Sequence, residues 1–153
     1  MIEALNFPKA NLTLKRRDGL VYVWCIIRKK ELVCTPEEWV RQHAIHYLIH
    51  QQEIAIGLIA SEYSLTYNGR VKRADIVVFN RDGKPEMLVE CKATSIKIDD
   101  KTVRQIAQYN FDLNVDRLFL TNGNDHVFCT INRQSGSISY DLEWPYDTNN
   151  KSK

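Results

Sequence analysis

The chain has 153 residues, of which 44% are hydrophobic and 26% charged, and a net charge of +2. That length suits one domain with a substantial core, and the composition excludes fibrous, low-complexity and disordered classes. The small net charge excludes a uniformly basic nucleic-acid binder, so a basic surface can come only from local clusters.

The first eleven residues read as irregular. "LTLK" (12–15) and "LVYVWCIIR" (20–28), separated by Arg17-Asp18-Gly19, form a predicted β-hairpin, and "ELVC" (31–34) is a candidate third strand. The first helix is well signalled. Thr35 is an N-cap, Pro36 takes the first helical position, and Glu38 completes a capping box. It runs to about His50, with Val40, Ala44, Tyr47 and Leu48 as its apolar stripe, widened by Ile45 and Ile49.

A strand at about 58–67 leads to the tight turn Asn68-Gly69. "RVKRADIVVFN" (70–80), the turn "RDGK" (81–84) and "PEMLVECKA" (85–93) make the next hairpin. Asp99 or Asp100 caps a second helix, "KTVRQIAQYNFDLN" (101–114), whose apolar face uses Val103, Ile106, Ala107 and Leu113. "DRLFLTN" (116–122), "HVFCTIN" (126–132) and a short strand near Ile138 follow. A helix between "ECKA" and "RLFLT" permits a right-handed parallel crossover. The expected fold is therefore α/β, a mixed central sheet flanked by helices. Residues 1–34 form an N-terminal β-hairpin extension of the same domain, 35–142 the core, and 143–153 a polar tail expected to be disordered.

No apolar run of membrane-spanning length exists, and "MIEALNFPKA" lacks a signal-peptide core. A cytoplasmic protein is expected. Cys25, Cys34, Cys91 and Cys129 show neither CxxC nor zinc spacing, so they read as free thiols in a reducing compartment. Three basic clusters stand out: Lys15-Arg16-Arg17, Arg28-Lys29-Lys30, and the looser set Arg70, Lys72 and Arg73.

"MLVECKAT" (87–94) places Glu90 and Lys92 on one face of a strand and Cys91 on the other. If Asn80 pairs with Pro85, Asp75 lies opposite Glu90. Facing carboxylates repel, so one acid takes up a proton or a cation sits between them. Mg²⁺ suits such a pair, because it takes one or two carboxylates together with waters and phosphate. A strand-end salt bridge from Asp75 to Arg73, with Glu90 and Lys92 guarding an edge, is the alternative.

Asp75 followed by Glu90-Cys91-Lys92 resembles the D…(D/E)xK motif of the PD-(D/E)XK nuclease superfamily. "TPEEWVRQ", "KRADIVVFNRDGKPEMLVECKA", "QIAQYN" and "TNG" are similar to the N-terminal domain of type I restriction enzyme R subunits. The resemblance implies a restriction-endonuclease-like fold and a DNA endonuclease activity dependent on Mg²⁺ or Mn²⁺. It implies Asp75, Glu90 and the Cys91 carbonyl as metal ligands and Lys92 as the residue that orients or activates water. It adds Glu38, with Glu37 as rival, and the QxxxY pair Gln105 and Tyr109. Arg16, Arg17, Lys72 and Arg73 are candidates for phosphate contacts. DNA, a homodimer and restriction–modification subunits are the implied partners. The usual Pro before the Asp is Ala74 here, and no GxxxxGK[ST] loop supplies a helicase motor. A catalytically silent nuclease fold used for DNA binding or docking is the rival reading.

Overall fold

A computed structural model describes residues 2–141; the expected disordered tail and the end of the core at 142 lie outside them. Strands β1 (Leu14–Arg17), β2 (Leu20–Cys25) and β3 (Lys30–Val33) form an antiparallel sheet. Then come α1 (Pro36–His46), β4 (Ile59–Tyr67), β5 (Arg70–Phe79), β6 (Pro85–Cys91), α2 (Asp100–Asp112), β7 (Arg117–Thr121), β8 (His126–Ile131) and β9 (Ile138–Asp141). The last six strands form one sheet in sequence order, antiparallel except for the β6–β7 pair that α2 connects. The expected mixed α/β fold is present, and the candidate third N-terminal strand pairs with β2. Among the described residues no helix is long and apolar enough to cross a membrane.

Turn chemistry sets the hairpins. Asp18-Gly19 and Asn68-Gly69 both have positive φ at both positions, as two-residue turns matching strand twist require. Asp18-Gly19 alone suffices for the first turn, so Arg17 ends β1 rather than opening the loop.

The two helices cover opposite faces of the large sheet. Val40, Ala44, Ile45 and Leu48 of α1 pack with Ile76, Met87, Val89 and Phe119. Val103, Ile106 and Ala107 of α2 pack with Leu118, Leu120 and Cys129, while Leu113 joins Val77 and Leu88. All four cysteines are free and buried. The N-terminal sheet is tied in through Cys25, which joins the α1 cluster, and through Val23 and Cys34 against Trp39.

Three details differ from expectation. The first helix leaves α geometry at His46 and ends in a single π turn, Tyr47–Gln51. Only half of the capping box forms: Thr35 Oγ1 accepts from the Glu38 amide at 3.1 Å, but the Glu38 carboxylate turns away. Pro85 pairs with Phe79, not Asn80, and a bulge between Val78 and Phe79 restores the expected alignment as Val78↔Met87, Val77↔Leu88 and Ile76↔Val89. Asn80 instead closes the turn, its side chain accepting from the Asp82 and Lys84 amides.

Candidate active site

The β5–β6 ladder ends at Ile76↔Val89, and the same alignment carried one residue further sets Asp75 opposite Glu90. Here a side chain replaces the ladder. Asp75 Oδ2 accepts from the Cys91 amide at 2.8 Å. Beyond Cys91, Lys92 donates its amide to the Thr121 carbonyl at 2.9 Å, so β7 still braces the strand end.

Glu90 is only 6% exposed. Its carboxyl is pushed up to about 7, first by burial and then by the Asp75 charge, against the opposing pull of Lys72 and Lys92. Lys72 Nζ stands 3.2 Å from Glu90 Oε1, yet that buried oxygen has no well-aligned hydrogen bond. The Lys72 ammonium also lies 4.5 Å from the centroid of the Tyr109 ring, which connects α2 to the acid.

The raised pKa has a definite sign. The folded protein keeps a proton on Glu90 that the unfolded chain begins to lose near the ordinary value of 4.5. Glu90 therefore removes stability progressively as pH rises from 4.5 to about 7. In metal-free protein, Glu90→Gln should flatten this part of the stability profile. Urea midpoints at about pH 5 and about pH 8 measure it; an unchanged difference between the two pH values would refute the assigned cause.

Glu37 and Glu38 go to different places. Glu38 is buried and fully engaged: Arg41 Nη2 reaches Oε1 at 2.6 Å, Arg41 Nε reaches Oε2 at 3.0 Å, and Gln42 Nε2 reaches Oε2 at 2.9 Å. Glu37 reaches solvent. Partial desolvation and then the Asp75 charge hold its carboxyl above the ordinary range, while Arg41 and Lys92 pull it down. Glu37 thus shares the electrostatic field of Asp75 and Lys92.

Two residues that the sequence did not single out complete the cluster. Ser61↔Ile76 and Tyr63↔Ala74 bracket Glu62 opposite Asp75, which gives Glu62, Asp75 and Glu90 on three adjacent strands. Glu62 holds left-handed backbone, φ 55°, within β4. Burial alone would raise its carboxyl, but Arg41, and then Arg73, hold it below the ordinary range. Arg41 is the common partner. It pairs with Glu38 and Glu62 and lies 3.6 Å from Asp75. The Asn68-Gly69 turn already implied Glu62: a two-residue loop pairs Tyr67 with Arg70 and hence 62 with 75.

The remaining candidates divide. Gln105 is exposed on α2, one turn before Tyr109. Arg73 pairs with Glu62 at 2.6 Å and stays largely exposed. Arg16 and Arg17 lie on the separate N-terminal sheet, where Arg17 pairs with Glu31 at 2.8 Å.

A hard divalent cation fits the donor set, because Glu90 Oε1 is buried without an aligned hydrogen bond and the Glu90 carboxyl lies within the electrostatic reach of a second carboxylate, Asp75. Among the described residues, no three His, Cys, Asp or Glu side chains converge to enclose an ion by themselves. Mg²⁺ tolerates this, since it retains several waters.

A fragment assigned to an HsdR subunit of a type I restriction enzyme from Vibrio vulnificus YJ016 is 22% identical, with a TM-score of 0.39, over 57% of this chain and 18% of that one. No curated protein matches. The family described as type I restriction enzyme R protein N terminus (HSDR_N) matches residues 36–143, more than half of the chain. The chain belongs to that family.

Proposed function

We propose that this domain is a DNA endonuclease, dependent on Mg²⁺ or Mn²⁺, that hydrolyses phosphodiester bonds. The observation that supports this most is the acid pair where the β5–β6 ladder ends: Asp75 accepts from the Cys91 amide next to the buried Glu90, whose carboxyl is pushed up by burial and then by the Asp75 charge, and Lys92 follows two residues on. Asp75, Glu90 and the Cys91 carbonyl would hold the cation, which when bound lowers the pKa of a water and stabilises charge on a phosphoryl oxygen. Lys92 would orient that water and hold its proton balance. Lys72, now on Glu90, would be released toward a DNA phosphate, with Tyr109 shaping its path and Gln105 at the site's rim. Arg41 would fix Asp75 from behind.

Glu37, rather than Glu38, would be the α1 glutamate that serves the site, holding waters of the cation rather than the cation itself, because Glu38 is consumed by Arg41 and Gln42. Glu37→Gln should lower plasmid nicking in Mg²⁺ by about 10–100-fold with little change in melting temperature. Glu38→Gln should chiefly lower the melting temperature. The reverse pattern would return the role to Glu38. DNA is the partner implied; two domains would cut two strands as a homodimer, and restriction–modification subunits would direct them.

One observation favours a second reading. Lys72 and Arg41 already neutralise part of the acid pair, as a nuclease fold kept for DNA binding or docking would allow. Calorimetric titration with Mn²⁺ separates the two: heat that disappears in Asp75→Asn supports the nuclease, and no heat with DNA present supports the silent module.

A further inference from the structure

The acid pair uses the start of the first helix and leaves its far end free. His46 closes α1, and His50 lies four residues on, inside the π turn Tyr47–Gln51. Single π turns often mark functional sites. His46 is about 12 Å along the helix from Glu38. Residues four apart share one side of a helix, and here the two imidazole centroids stand 5.4 Å apart. Phe7 packs on the Tyr47 ring at 5.6 Å, and the segment 8–11 that follows it runs against this end of the helix. Between segment and turn lies a cavity of about 480 Å³, with Lys9, Asn11, His46 and His50 among its walls.

The chain has four histidines, and they fall into two pairs. His43 Nδ1 bonds the Trp39 carbonyl at 2.8 Å, and the His126 ring bonds Thr121 at one nitrogen and the Asn6 carbonyl at the other. His46 and His50, on the cavity wall, have no hydrogen-bond partner among the described residues. His46 is only 8% exposed, and its Nδ1 is buried and unpaired. A buried polar atom left unpaired is unfavourable, and a bound ion is one of the few things that relieves it. Burial, then the neighbouring His50 and His43, push the His46 pKa below its ordinary value of 6.5. The ring is therefore neutral near pH 7, the form that ligates metals. Imidazole suits Zn²⁺, Ni²⁺ and Cu²⁺ rather than Mg²⁺. With Zn–N bonds of about 2.0–2.1 Å and a tetrahedral angle, two imidazole centroids on one ion lie about 5 Å apart, close to the separation seen here. Lys9 is exposed, so its ammonium can turn to water instead of opposing a cation.

We propose that His46 and His50 form a two-histidine site for a divalent transition-metal cation of the zinc class, at the cavity between the segment 8–11 and the π turn. Water fills the coordination positions that two side chains leave open, so the site is weaker than a four-ligand structural zinc centre. It is separate from the acid pair in place and in chemistry: nitrogen donors for a softer ion at one end of the helix, carboxylates for a hard ion at the other. It does not rest on the nuclease reading.

The test is titration of the full chain with Zn²⁺, followed by proton NMR of the four imidazole rings. The resonances of His46 and His50 should shift together and saturate, while those of His43 and His126 stay in place. The Asp75→Asn variant should give the same shifts, which separates this site from the acid pair. Calorimetry should show Zn²⁺ affinity at the histidines falling at least about tenfold in His50→Ala, since losing even an outer-shell partner costs that much. His50 is exposed, so this substitution leaves the fold intact. Three results would overturn the proposal: His46 and His50 resonances that Zn²⁺ leaves unmoved, equal affinity in wild type and His50→Ala, or shifts produced by inorganic phosphate and not by Zn²⁺, which would assign the cavity to an anion.

Discussion

Asp75→Asn should abolish measurable plasmid nicking, a fall of at least about a hundredfold, while the protein remains folded. The substitution is nearly isosteric and keeps an oxygen to accept the Cys91 amide, so that hydrogen bond at the end of the ladder survives. What it removes is the charge that the buried Glu90 senses and a metal would need. Two readouts should therefore move together. Nicking is lost, and the Glu90 carboxyl, relieved of its charged neighbour, titrates below its present value of about 7. Lys92→Ala should also depress nicking, by about 10²–10⁴-fold, as removal of a proton-handling group does, but should move Glu90 upward, because Lys92 now favours its charged form. The opposite shifts distinguish the two residues even where both variants are inactive. Nicking that survives both substitutions would exclude this centre as the catalyst.

The second large effect concerns stability. Arg41 is a buried cation, 7% exposed, between Glu38, Glu62 and Asp75. Desolvation alone would favour its neutral form, but the hydrogen bonds it donates to Glu38 and then to Glu62 keep it charged. Arg41→Ala leaves Glu38 with one remaining side-chain donor, Gln42, and leaves a carboxylate charge uncompensated in the interior. The expected loss is about 3–5 kcal/mol, read as a fall in melting temperature of roughly 10 °C. Glu38→Gln with Arg41→Met should recover much of it, since removing both partners is far less costly than removing one. A melting temperature for Arg41→Ala within about 2 °C of wild type would show the pairs to be marginal.

Much of this was legible in the sequence, and the reasons are local. Asn68-Gly69 fixes a two-residue loop, and with it the β4–β5 register. Thr35 and Asp99 mark both helix starts, and each accepts the expected amide hydrogen bond. The apolar periods of α1 and α2 named their buried faces. Side-chain choices made at a distance were not legible. By helical position alone Glu37 and Glu38 both fall on the broad apolar arc of α1, yet Glu37 reaches solvent and Glu38 is buried. What separates them is Arg41 one turn later, drawn inward by Glu62 on another element. The alternation of a regular strand gives no warning of the left-handed backbone at Glu62. Lys72 looked like a phosphate contact on an exposed strand, and only the arrival of Tyr109 from α2 shows it folded over Glu90.

The bulge between Val78 and Phe79 has a consequence for change in the chain over time. Register at the acids is set by Ile76↔Val89 and its neighbours, whereas the hairpin closes at Phe79↔Pro85. The extra residue between these two anchors works as a slack link. The exposed Arg81–Lys84 turn can lengthen or shorten without dragging Glu90 away from Asp75. The spacing of the two acids in three dimensions is thereby insulated from the spacing in sequence, which leaves this turn free to diversify and makes it the natural position for an inserted label.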